Sequence, residues 1–95
     1  MIRSYGDEAT RDLHYAENTK KARRIPKELW PVARRKLNRL HLATQIVDLM
    51  SPGNNVERLK GKLTGFYSIR INDQWRVVFK FEAGAAYDVK VVDYH

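Results

Sequence analysis

The sequence predicts an α+β fold, with N-terminal helices packed on one face of a mainly antiparallel sheet. Two observations carry the prediction. Apolar residues recur at helical spacing as far as about residue 50, and from Val56 onward the period drops to two. The second half then divides into three strand-length runs, GFYSIRI, WRVVFKF and AYDVKVV, joined by short loops in the manner of an antiparallel meander. Helices on one face leave the other open to water, as antiparallel sheets allow.

Each element has its own local reason. Residues 1–5 suit a short opening strand. Gly6-Asp7-Glu8 suits a helix start, with acids near the positive end of the helix dipole, and predicts a short helix over 7–16. Residues 18–24 read as a basic loop. Pro26 fits a first helical turn, and a helix is expected from there to Leu42, with Pro31 still tolerated near its start. Leu29, Ala33, Leu37 and Leu40 form its apolar stripe. The stripe resumes in Ile46, Val47, Leu49 and Met50, as a continuation or a second short helix, and Ser51-Pro52-Gly53-Asn54-Asn55 ends it.

The 95 residues, 43% hydrophobic and 31% charged, are expected to form one domain over 1–95 with one modest core. No apolar run approaches the roughly 18 residues of a membrane span. Nothing after Met1 resembles a secretion signal, so a cytoplasmic protein is expected, with no membrane contact. Without cysteine there is neither a disulfide framework nor a thiolate metal site, and His14, His41 and His95 match no ligand spacing.

The net charge of +7 is unevenly spread. Residues 1–19 carry two bases and four acids, a net of −2. Residues 20–39 carry nine Lys or Arg against one Glu, a net of +8. The remaining seven bases and six acids give +1. Such a block attracts polyanions with salt-sensitive affinity, and Lys20, Lys21, Arg23, Arg24, Arg34, Arg35 and Arg39 are the candidate contacts to RNA or a ribosome.

Strand register turns the pattern into chemistry. Aligning the apolar faces of the first hairpin pairs Ile71 with Trp75, Ile69 with Val77, and Arg70 with Arg76. The second hairpin would pair Phe81 with Tyr87, Val77 with Val91, Lys80 with Asp88 and Arg76 with Val92, leaving Tyr94 as the diagonal neighbour of Arg76. Two opposed arginines repel unless an anion lies between them or a carboxylate such as Asp73, Glu82 or Asp93 neutralises them. The open face should then bear Arg70, Arg76, Lys80, Lys90 and Tyr94, with Asp93 and His95 at its rim. Parity also requires the chain to turn after Val92 if His95 is to reach that face.

The stretch LKGKLTGFYSIRINDQWRVVFKF and the closing VVDYH resemble the HigB type of toxin in the RelE/ParE superfamily. The resemblance is most specific in SIRINDQWR, in Leu59-Lys60-Gly61 and in Asp93-Tyr94-His95, three pieces in order at family spacing. It implies the RelE-like, microbial ribonuclease-like arrangement of helices on a sheet. It also implies the toxin of a type II toxin–antitoxin pair, a ribosome-dependent endoribonuclease that cuts messenger RNA in the A site and halts translation. The implied partners are a helix-turn-helix antitoxin resembling HigA and the ribosome with its message, with operator DNA met only through the antitoxin complex. No metal or organic cofactor is implied.

By the same resemblance His95 would carry acid–base work, Asp93 would orient it, Tyr94 would contact RNA, and Arg76 would stabilise phosphate charge with support from Lys60. Lys80, Lys90 and Arg70 would hold RNA phosphates. Some relatives carry a further histidine before the segment matching Leu59-Lys60-Gly61, where this chain has Val56-Glu57-Arg58. Glu57, Tyr94 or positioning by the ribosome would then have to replace it. The alternatives are a non-enzymatic ParE-like toxin acting on gyrase, and a basic nucleic-acid-binding module.

Overall fold

A computed structural model describes residues 1–94; His95 lies outside the described residues. Helix α1 spans Glu8–His14, and its N-cap Asp7 accepts the Thr10 N–H at 2.9 Å. It ends where Ala16 takes a positive φ of 61°. The expected 26–42 helix begins as a 3-10 turn at Lys27–Leu29 and becomes α-helical as α2 over Trp30–Leu42. The missing N–H of Pro31 therefore falls in the first α-turn, where no intrahelical bond needs it. Ala33, Leu37 and Leu40 are buried as the stripe requires, while Leu29 is half-buried.

The stripe does not continue through all of Ile46, Val47, Leu49 and Met50. Ile46–Leu49 is a 3-10 turn, which eclipses residues three apart. Ile46 and Leu49 therefore face inward together, whereas Val47 and Met50 are 61% and 63% exposed.

Four antiparallel strands follow in the order β1-β2-β3-β4: Glu57–Arg58, Phe66–Arg70, Trp75–Glu82 and Ala85–Asp93. The two-residue β1 is too short to show any period and was not expected. The first hairpin has the predicted register, with Ile69 opposite Val77 and Arg70 opposite Arg76. Both helices lie on the same face, where Leu13, Leu37 and Leu40 join Ile69, Val77, Phe79, Val89 and Val91 in the core. No helix among the described residues is long and apolar enough to cross a membrane.

The second hairpin departs from expectation. Val77–Val91 and Arg76–Val92 pair as predicted, but the register shifts by one residue between Val78 and Lys80. Lys80 faces Tyr87 and Phe81 faces Ala86, instead of Asp88 and Tyr87. The inserted residue is Asp88, at φ 53°, a left-handed conformation that aspartate tolerates better than most residues. The bulge turns Tyr87 away from the core and gives its place to Ala86, which is fully buried.

The opening strand is also interrupted. Ile2 and Tyr5 make isolated parallel bridges to Ala86 and Val89. Between them the bulge removes the ladder, and the Ser4 hydroxyl accepts the Asp88 N–H at 2.9 Å. Beyond Gly6 the chain enters α1, whose fully buried Thr10 hydroxyl accepts the Val91 N–H at 2.8 Å. Side chains replace strand at this edge of β4, where the Ser4 and Thr10 hydroxyls take the Asp88 and Val91 N–H groups.

Candidate active site

The face without helices is less open than its basic residues suggest. Ser68 and Val78 point to it, yet they are 0% and 4% exposed. Arg76 covers Ser68. Its Nε donates to Ser68 Oγ at 2.8 Å, one terminal nitrogen donates to the Asn55 carbonyl, and the other lies 4.0 Å from the Glu57 carboxylate. The guanidinium also stands 5.9 Å from the Tyr94 ring centroid, within cation–π reach. With only 11% of its side chain exposed, Arg76 is held flat by neutral acceptors, one carboxylate and one aromatic ring.

Arg70, its cross-strand partner, pairs with Asp73 in the β2–β3 turn. Asp73, one of the carboxylates expected to be in reach, thus takes Arg70, while Arg76 is held by Ser68, the Asn55 carbonyl and Glu57. Lys80 sits 3.9 Å from Asp88 despite the shifted register, and 5.1 Å from the Phe66 ring centroid.

Leu63, Phe66, Val78, Lys90, Val92 and Tyr94 line a groove of about 510 Å³ on this face. Lys90 lies against Gly6 so closely that a Cβ at residue 6 would come within 2.5 Å of its Cγ. Asp93 faces Trp75 at the end of β4 and accepts from Gln74 Nε2 at 3.0 Å, while the Tyr94 N–H donates to the Gln74 carbonyl at 2.6 Å. The strand ends at Asp93. Lys60 is exposed and lines a neighbouring groove that shares Phe66 with the one beside Lys90 and Tyr94.

The basic block divides in the fold. Lys21 pairs with Glu8 at 2.6 Å and Arg24 with Asp7 at 3.0 Å, while Arg23 donates to the Asn18 carbonyl at 3.0 Å. Lys20 lines the same surface. Arg34, Arg35 and Arg39 border a groove of about 430 Å³ on α2. Among the described residues, none of these three has a carboxylate within ion-pair distance.

A family model for HigB-like toxins, described as the RelE-like toxin of type II toxin–antitoxin system HigB, matches residues 5–95. The chain belongs to this family. It is 40% identical over 73 residues to Toxin HigB-1 of Vibrio cholerae, covering 76% of this chain and 77% of that protein. It is 35% identical over 60 residues to Endoribonuclease HigB of Proteus vulgaris, covering 63% and 65%. Among solved structures, the YoeB–YefM complex from Staphylococcus aureus matches with a TM-score of 0.62 at 21% identity over 100% of this chain and 98% of that one, a likeness of fold.

The two described histidines of this HigB-like chain belong to its helical layer. The Tyr5 hydroxyl donates to His14 Nδ1 at 2.6 Å, and His14 Nε2 donates to Asn38 Oδ1 at 2.8 Å. Burial, with Tyr15 close by, pushes the Tyr5 hydroxyl up to about 12. Burial, with His41 and Arg34 adding to it, holds His14 below its usual value. His41 Nδ1 accepts the Ile2 N–H at 3.1 Å. Neither imidazole is at Arg76. Among the described residues no three metal-ligating side chains gather.

The register argument found Arg70, Arg76 and Tyr94, but three contacts of Arg76 escaped it. Ser68 was visible as a polar residue at a face position of β2, whereas the Asn55 carbonyl and the approach of Glu57 depend on how the 53–58 segment returns to the sheet.

Proposed function

We propose that this chain is an endoribonuclease toxin that cuts messenger RNA in the ribosomal A site and is held by a helix-turn-helix antitoxin. The observation carrying the reading is the assembly around Arg76, which places a guanidinium 4.0 Å from a carboxylate and 5.9 Å from a phenol ring on the exposed sheet face. Family membership and the relative named Endoribonuclease HigB support the activity. The YoeB–YefM complexes support an antitoxin partner.

The reaction is attack by the substrate's own 2′-OH on the adjacent phosphorus, leaving a cyclic phosphate and a 5′-OH. Arg76 stabilises the charge that builds on the phosphate oxygens. Glu57 accepts the 2′-OH proton, and His95, in the role the family resemblance gives it, protonates the leaving oxygen. Asp93 orients the chain end, Tyr94 packs against the substrate, and Lys60, Lys80 and Lys90 draw in flanking phosphates. The α2 cations Arg34, Arg35 and Arg39 contact the ribosome.

Controlled expression followed by mapping of message ends tests the reading. Cuts are expected within translated frames and absent from untranslated transcripts. His95→Gln should slow single-turnover cleavage by about 10² to 10⁴ with ribosome affinity little changed. Intact messages beside cleaved DNA would overturn the reading in favour of a gyrase poison, and cuts without ribosomes would remove the A-site mechanism.

A further inference from the structure

Asn54 is only 4% exposed, and each of its polar groups is engaged. Its N–H donates to the Ser51 carbonyl at 3.2 Å, and its carbonyl accepts the Arg70 N–H at 2.6 Å. Its side-chain amide donates to the Leu49 carbonyl at 2.7 Å and accepts from Lys36 Nζ. Lys36 reaches the Gly53 carbonyl as well, at 3.5 Å. The next residue, Asn55, has a φ of 45°, which asparagine tolerates, and its carbonyl accepts from Arg76. A continuous path of hydrogen bonds therefore runs from α2, through the 53–55 turn, to the arginine that handles phosphate.

The cation at the start of that path sits in an unfavourable place. Lys36 is half-buried beside Arg35, Arg39 and Arg70, and burial together with those three charges lowers its pKa. Among the described residues it is held by neutral oxygens and has no carboxylate within ion-pair distance. Local conflicts of this kind concentrate at functional sites. An apolar side chain would fit the half-buried position without the electrostatic cost, but it would leave the buried Asn54 amide oxygen bare.

We propose that Lys36 and the 53–55 turn are a positioning device for Arg76. Lys36 fixes the Asn54 side chain, Asn54 fixes the turn, and the Asn55 carbonyl holds the guanidinium across Ser68, facing the scissile phosphate. The last clause rests on the reaction proposed above; the positioning itself does not, and the test separates them.

The decisive variant is Lys36→Met, read by NMR solvent exchange of the Arg76 Nε–H and by single-turnover cleavage at saturating protein. The exchange should quicken about tenfold in Lys36→Met, as local opening does, while that of the ion-paired Arg11 stays put. Cleavage should slow about tenfold in the native background, since small misplacements of a catalytic group cost that much or more. In an Arg76→Ala background the same substitution should cost less than about twofold, because both changes act through one group. Unchanged Arg76 exchange would overturn the proposal whatever the activity, and so would equal rate losses in both backgrounds. Quickened exchange in a chain whose native form cuts no message would keep the positioning device and discard the reaction.

Discussion

The two halves of the basic block carry similar charge and use it differently. Lys21 and Arg24 are paired with Glu8 and Asp7, so the 20–24 segment is tied to the acidic start of α1. Arg34, Arg35 and Arg39 stand on α2 with no carboxylate in ion-pair distance among the described residues. The net of +8 over residues 20–39 is therefore not one field. Part of it is cancelled within the chain, and what projects outward comes mainly from α2. Net charge in a sequence window measures supply; the pattern of pairing decides where a polyanion is attracted.

The contrast can be broken most directly by charge removal. Arg35→Gln with Arg39→Gln should lower affinity for programmed ribosomes about tenfold and reduce the slope of log affinity against log salt by about 1.5, roughly 0.7–0.9 for each lost contact. Lys21→Gln with Arg24→Gln should change that slope by less than about 0.5, because these cations already have protein partners. Equal slope changes in a salt titration would erase the distinction between the halves.

A smaller effect sharpens it. Glu8→Gln releases Lys21 and should raise polyanion affinity about twofold, whereas Glu82→Gln, which changes net charge equally on an exposed strand end, should do less. Filter binding at low salt compares the two.

The α2 half also packs against a titrating group. His14 faces Tyr5, Tyr15, Asn38, His41 and Arg34, and its pKa in the folded chain lies below the 6.5 of a free imidazole. The unfolded chain therefore binds more protons below that value, so stability rises with pH and is lost as pH falls through about 6.5. Thermal melts from pH 7.5 to 5 should show this decline in the native chain and a flatter profile in His14→Gln. An unchanged profile would detach the decline from His14.

Much of the sheet could be read in advance, for a simple reason. In the first hairpin, period-two alternation and one buried face leave a single register, with Arg70 opposite Arg76. The bulge at Asp88 could not be read the same way. It depends on a left-handed aspartate and on the Ser4 hydroxyl, 84 residues distant, to take its N–H. The site divides likewise. The proximity of Tyr94 to Arg76 follows from parity along the strands, whereas Glu57 and the Asn55 carbonyl arrive by a loop whose path no periodicity encodes. Val47 and Met50 carried the right hydrophobicity for a helix stripe, but a 3-10 turn faces them to solvent.

The pairing of Ile2 with Ala86 and of Tyr5 with Val89 has a consequence in time. During synthesis, the strand bridges of Ile2 and Tyr5 and the Thr10 hydroxyl wait for β4 to be made, and closing so long a loop comes late in folding. Tyr94 reaches Arg76 through the local β3–β4 hairpin, which likewise waits for β4 to be made. The N-terminal edge of the sheet and the surroundings of Arg76 are thus both completed only once β4 has been made, however early the residues that begin them appear.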